Sequence, residues 1–202
     1  MTMQHHTLAA DDKDKSAKKD APEKMEEQLL FKGRFVMIFG EIDDKMAHAT
    51  CRRLLALSQD SDAPITLLIS SPGGHVESGD AIHDMIRFVR APVNMVGTGW
   101  VASAGTHIYL SVPKERRFAL PNTRFMIHQP AGGAGGQASD IAIQAKEILR
   151  ARDRLAATIA RETGQPLERV RIDIERDFWM STEQAIAYGL VSRVIERQVD
   201  LG

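Results

Sequence analysis

Apolar positions in this chain come in blocks of two kinds. Some are continuous and four or five residues long; others recur at the three-to-four-residue spacing of one helix face. Phe35-Val36-Met37-Ile38-Phe39 is continuous, stops at Gly40, and predicts a buried strand. Asp43 or Asp44 then caps a helix whose Met46, Cys51, Leu54 and Leu55 fall mainly on one side. Ile65 to Ile69 predicts the next strand, which runs straight into Ser70-Ser71-Pro72-Gly73-Gly74. Ile82, Met85, Ile86 and Val89 follow at helical spacing.

The strand pattern returns at Val93 to Val96, breaks at Gly97-Thr98-Gly99-Trp100, and gives way to Ala102-Ser103-Ala104-Gly105 at the head of a helix-compatible stretch. Two further strands, Arg117 to Leu120 and Arg124 to Ile127, flank a Pro121-Asn122-Thr123 turn, and the second ends on His128. A glycine-rich segment, Gly132 to Gly136, leads into a long helix from about Ala138 to Thr163, with Ile141, Ala145, Ile148, Leu149, Ala156 and Ile159 on its period. A helix this long, leaving through a glycine hinge, suits packing against another subunit. Pro166 opens a helix ending near Glu175, and Ser181 with Gln184 forms a capping-box pair for a last short helix closed by Gly189. Val191 to Ile195 predicts a final strand. Strands alternating with helices imply an α/β fold with a largely parallel sheet.

Residues 1 to 25 break the pattern. They are rich in Asp, Lys and Ala and bury too little apolar surface to offset ordering entropy, which predicts a disordered tail before a single domain over residues 26–198. The tail has no apolar signal-peptide core, and no apolar run approaches the ~20 residues that cross a bilayer. A formal charge of −1 leaves no basic footprint for nucleic acid. The lone Cys51 excludes an internal disulfide framework and multi-cysteine zinc sites. A cytoplasmic protein without membrane or nucleic-acid partners is the expectation.

Candidate chemistry gathers around Ser103. Serine is a poor nucleophile until a neighbouring base takes its proton. At a helix start its hydroxyl is exposed, and the Ala104 amide points at a developing oxyanion; the Gly74 amide, on a strand-end turn, would be the second donor. Only half of the G-x-S-x-G elbow is present, since position 101 is valine, so Ser103 alone reads as a helix cap. His128 is one candidate base and His107, four residues after Ser103, is another. His48, His75 and His83 show no metal-ligand spacing, and no metal site is expected. The orienting acid lies among Asp173, Glu175 and Asp177, and should be buried.

Taken together, SPGG (71–74), ASAG (102–105), FMIHQP (125–130), the glycine-rich stretch into QASDI (132–141), EILR (147–150), TGQPLE (163–168), ERDFWMS (175–181) and EQAIAYGLV (183–191) resemble, in this order, the proteolytic subunit of the Clp protease family. The resemblance spans about residues 28–196. It implies a crotonase-like α/β fold with a protruding handle over Gly132–Thr163, and serine endopeptidase activity on unfolded proteins and peptides. It further implies Ser103 as nucleophile, His128 as base, Asp177 as acid, and Gly74 and Ala104 as oxyanion donors. Substrate would lie extended beside a Gly132–Gly136 strand, with Gly73, Gly132, Gly133, Gly135 and Gly136 as its binding residues. Heptameric rings would stack as a tetradecamer fed by an AAA+ Clp unfoldase; this chain has no G-x-x-x-x-G-K-[ST] motif, so ATP belongs to that partner and no cofactor is expected here.

Two departures stand out. The family's axial segment is not recognisable ahead of the first strand, so no propeptide boundary can be read. Thr66 and Leu68 stand where the family often places aromatics that dock the unfoldase, which predicts weaker docking and a second, paralogous ring. A latent subunit needing that paralogue, and an acyl-CoA-processing crotonase-fold enzyme, are the alternative functions.

Overall fold

The computed structural model describes residues 24–133 and 135–201, and the chain divides into two units, Met1–Phe35 and Val36–Gly202. The tail expected over residues 1–25 lies, through residue 23, outside the described residues. In the first unit a helix, α1, covers residues 24–32, and the Gly33 amide closes it by donating to Leu29 O at 2.8 Å.

The second unit is built on a seven-stranded sheet. β1 (Phe35–Phe39), β2 (Ile65–Ser71), β3 (Val93–Ala102), β4 (Arg117–Ala119) and β7 (Arg193–Val194) run side by side in the order β1-β2-β3-β4-β7. Off that path, β5 (Arg124–Ile127) pairs with β3, and β6 (Phe178–Met180) pairs with β5. The β2–β3, β3–β4, β3–β5 and β4–β7 ladders are parallel, while β5–β6 is antiparallel. Between them come the helices α2 (Asp44–Asp60), α3 (Val76–Phe88), α4 (Ala104–Tyr109), α5 (Ala138–Thr163), α6 (Leu167–Asp173) and α7 (Thr182–Tyr188). The expected α/β class, mostly parallel, is therefore present.

Several differences from the sequence expectations have physical causes. β1 is not fully buried: Val36 and Ile38 enter the core while Met37 and Phe39 are 42% and 45% exposed. A continuous apolar run alone does not say that both faces are covered. β3 does not stop at Gly97 but continues to Ala102, exchanging one partner for another on the way. It pairs with β4 over Met95–Gly97 and with β5 over Trp100–Ala102. At the exchange, the Leu120 amide and Thr123 hydroxyl both donate to Gly97 O, which docks the intervening turn against the strand. Gly99 at φ +60 makes the bend that reads, in sequence, as a strand end. α6 stops at Asp173, two residues short of the expected end, and the last strand shrinks to Arg193–Val194. No strand is assigned over residues 130–133 or 135–137, where a glycine-rich stretch lacks a ladder partner in this chain.

The caps were legible. Asp43, not Asp44, accepts from the Met46 amide at 2.7 Å, and the Ser181–Gln184 capping box is complete, with Gly189 left-handed behind it. α5 has the predicted bounds, but only Ala156, Thr158 and Ile159 near its C-terminus are buried. Ile141, Ile143 and Leu149 are 41%, 62% and 57% exposed, so the outer turns carry large apolar side chains that the described residues do not cover. Arg117 anchors the buried end. Its guanidinium donates to Val112 O, Leu190 O and Glu162 O and pairs with the Glu162 carboxylate at 3.3 Å, joining β4 to the last turn of α5. No helix among the described residues is long and apolar enough to cross a membrane.

Candidate active site

The site is assembled where β3, β5 and β6 end together. β3 delivers Ser103, which sits at φ 55, ψ −122, a region that side chains rarely occupy. The surroundings hold it there. The Ser103 amide donates to Met126 O on β5, and the Thr106 hydroxyl lies 2.8 Å from both Val101 O and Met126 O. α4 begins immediately after and is buried along almost its whole length. Small residues permit this: a Cβ added to Gly79 would stand 3.2 Å from the Ala104 methyl, and one on Gly105 would stand 3.3 Å from Ser71. The turn is thus a strained elbow, although valine replaces the glycine that usually announces one.

β5 delivers His128 and β6 delivers Asp177. The β5–β6 ladder pairs Ile127 with Phe178. One step outward on an antiparallel ladder brings His128 opposite Asp177, and side chains at such opposed positions touch. His128 Nδ1 lies 3.0 Å from Asp177 Oδ1, and His128 Nε2 lies 2.7 Å from Ser103 Oγ. Arg124 stacks its guanidinium 4.3 Å from the Trp179 ring centre, clamping β6 onto β5. The hydrophobic pattern alone predicts no strand at 178–180. Its signal was present in Phe178-Trp179-Met180, three residues of the kind that suit a pleated ladder, but too short to show alternation.

The rival residues have partners elsewhere. Asp173 is held by Arg169 at 2.9 Å and by the Tyr188 hydroxyl at 2.9 Å, away from the imidazole. Glu175 is exposed; its backbone carbonyl accepts from the Gln129 side chain and its amide donates to Ile172 O. His107 Nε2 lies 2.9 Å from Asp80 Oδ1 and its ring stacks on His83, so it does not address Ser103. His75 turns to Ser78, Asp44 and Glu77, and His48 is exposed. The expectation of a buried orienting acid is not met: the Asp177 side chain is 60% exposed and that of His128 25%. β6 lies at the end of its branch of the sheet, with no further strand beside it among the described residues.

The amides of Gly74 and Ala104 take no part in the ladder and helix hydrogen bonds among the described residues. Ile42 bridges to Gly74 by donating from its amide to Gly73 O and accepting from the His75 amide, which leaves the Gly74 N–H out of the ladder. The Ala104 N–H opens α4, where the first amides have no intrahelical partner. Gly73 sits between them at φ +103. A Cβ there would lie 2.5 Å from Ser103 Cβ and 2.9 Å from Ser103 Oγ. Gly73→Ala should therefore push the serine off its line and, for the serine endopeptidase that the sequence resembles, lower peptide hydrolysis by about 10³-fold. Steady-state hydrolysis of a fluorogenic peptide tests this; a variant within tenfold of wild type would show that the close approach is not needed.

Beside Ser103 and His128 a cleft opens to solvent, walled by Val76, Pro130, Ala151 and Leu155, with Asp80 and Arg154 among the polar groups lining it. Of the glycines expected to bind substrate, Gly132, Gly133, Gly135 and Gly136 are all exposed on the segment leading to α5 and make no contact with Ser103 or His128. Among the described residues no group of His, Cys, Asp and Glu is arranged to hold a metal ion.

A family model described as Clp protease matches residues 18–198. The ATP-dependent Clp protease proteolytic subunit 3 of Rhizobium johnstonii is 51% identical over 191 residues, covering 95% of this chain and 98% of that protein. The ATP-dependent Clp protease proteolytic subunit 2 of Gluconobacter oxydans is 57% identical over 177 residues, 87% of this chain and 79% of that protein. A solved structure of ClpP1 from Listeria monocytogenes superposes with a TM-score of 0.79 at 49% identity, covering 87% of this chain and 98% of that one.

Proposed function

This chain belongs to the Clp protease family as a serine peptidase subunit, and on that footing we propose that Ser103 is its nucleophile, His128 its general base and Asp177 the acid that orients the imidazole. The continuous relay from Ser103 Oγ through His128 to Asp177, at 2.7 Å and 3.0 Å, carries this assignment. Ser103 Oγ attacks the scissile carbonyl as its proton passes to His128 Nε2. The oxyanion forms between the Gly74 and Ala104 amides, His128 returns the proton to the leaving amine, and water repeats the sequence to release the acyl group. An acyl-CoA-processing role gains nothing from a site whose reacting groups are a hydroxyl and an imidazole.

The assembly belongs to the same proposal. Residues 26–198 act as one peptidase domain behind an N-terminal tail, with residues 132–163 as a handle. The exposed Ile141, Ile143 and Leu149 on α5 supply apolar side chains that stacked heptameric rings would bury as a tetradecamer. Gly73, Gly132, Gly133, Gly135 and Gly136 would line the extended substrate, an unfolded chain delivered by an AAA+ Clp unfoldase that uses the ATP, in the cytoplasm. Thr66 and Leu68 are half-buried, with Leu68 packed against the Val96, Phe118 and Ile195 cluster, which supports weak docking by this chain alone. The subunit numbers in its relatives' names favour a paralogous partner ring.

Labelling by a serine-reactive fluorophosphonate, alone and with a paralogous subunit, tests the site and its latency together. Labelling that maps to Ser103 is expected in both conditions, and unfoldase-stimulated proteolysis only in the mixture. No labelling in either would remove Ser103 as nucleophile; full stimulation of this chain alone would remove the need for a partner ring.

A further inference from the structure

Three helices meet at the cleft beside Ser103, and one carboxylate joins them. Asp80 on α3 receives His107 Nε2 of α4 at 2.9 Å on Oδ1 and an Arg154 nitrogen of α5 at 2.7 Å on Oδ2. His107 is in turn fixed. Its ring stacks on His83 with centres 4.4 Å apart, its side chain is 12% exposed, and its Nδ1 has no partner among the described residues, so the bond to Asp80 alone sets its orientation. Asp80 keeps 30% of its side chain exposed and lines the cleft. The hydrogen bond from His107, above all, and the charge of Arg154 hold its carboxyl below the usual range against the opposing effect of burial, so it is ionised at neutral pH.

An ionised carboxylate offers about four lone-pair sites, and two of them are used here. Asp80 lines a cleft whose walls are apolar at Val76, Pro130, Ala151 and Leu155, and where the Arg154 guanidinium is already paired with Asp80 Oδ2. A substrate residue whose carbonyl carbon sits on Ser103, with its oxygen toward the Ala104 amide, places its side chain in this cleft. A long apolar chain would strip water from the carboxylate and give nothing back. An acidic chain would meet a like charge. An amide of the same length would set its N–H on the free lone pair while its methylenes rest on the apolar wall.

We propose that Asp80 is a specificity-determining residue of this peptidase, and that the cleft selects, on the acyl side of the scissile bond, a side chain with a hydrogen-bond donor at its tip, glutamine above its isosteres methionine and glutamate. The proposal rests on the assignment of Ser103 as nucleophile. His107 and Arg154 act as positioning residues that aim the carboxylate.

The test is a set of fluorogenic peptides differing only in Gln, Met or Glu before the scissile bond, cleaved by the assembled protein. Wild type should cleave the Gln peptide with the highest kcat/KM and the Glu peptide with the lowest. Asp80→Met should lower the Gln-to-Met ratio at least tenfold, and Asp80→Asn should lower it by less, because an amide oxygen accepts more weakly than a carboxylate. If Asp80→Met does not assemble, the Asp80→Asn ratio decides. An unchanged ratio, or a wild type that prefers Met, overturns the proposal. Ser103→Ala run beside them separates the two layers: if it still cleaves all three peptides the nucleophile assignment fails, whereas an inactive Ser103→Ala beside an unchanged Asp80 ratio fails the specificity claim alone.

Discussion

Replacing Ser103 by alanine should lower peptide hydrolysis about 10⁶-fold, and replacing it by glycine should do the same while giving a more stable protein. The activity loss follows because the two oxyanion amides and the cleft remain but nothing forms the acyl bond; loss of one member of such a relay costs about as much as loss of all three. The stability difference comes from the backbone. Ser103 is held at φ 55, ψ −122, where a Cβ is crowded, at a cost on the order of 1–3 kcal/mol. Alanine inherits that strain and glycine does not, although glycine gives back about 0.4–1 kcal/mol through its freer unfolded chain. Both variants lose the same contact with His128, so their difference isolates the elbow. Thermal unfolding at matched subunit concentration should place the glycine variant roughly 2–4 °C above the alanine variant for each net kcal/mol. A glycine variant that melts at or below the alanine one would mean that the turn is unstrained.

That elbow also marks how far the sequence could be read. Strand and helix periods, the Asp43 and Ser181 caps and the bounds of α5 follow from local physical chemistry, and they were legible because each depends on residues within one turn of one another. Ser103 and His128 were visible as residues but weak as motifs, since the elbow lacks one glycine and gains its strain from the Met126 carbonyl across a ladder. The partner exchange of β3 depends on the Leu120–Thr123 turn docking on Gly97 O, a contact between separate segments that no period encodes. Asp177 could not be chosen from its neighbours because the choice is made by β6, three residues whose strand state exists only as pairing with β5. The Asp80, His107 and Arg154 cluster was invisible for the same reason. His107 drew attention only as a rival base, and its carboxylate partner lies on a different helix.

His128→Ala should cost about as much as Ser103→Ala, but Asp177→Asn should cost only on the order of 10–10², well short of the roughly 10⁴-fold typical of a buried, locked aspartate in this role. The locked case is severe because a fixed asparagine presents its NH₂ to Nδ1, forcing the proton onto Nε2 and leaving the serine without an acceptor. Nothing fixes such an amide here. The Asp177 side chain is 60% exposed, and its only hydrogen bond among the described residues is the 3.0 Å contact with His128 Nδ1. An asparagine can turn its oxygen to Nδ1–H, recovering the productive tautomer and losing only the charge, and charge at an exposed position is screened by water. Comparing kcat/KM for His128→Ala, Asp177→Asn and Asp177→Ala on one peptide measures the difference. If Asp177→Asn falls as far as His128→Ala, the carboxylate is locked and desolvated in the working particle by cover that the described residues of this chain do not supply.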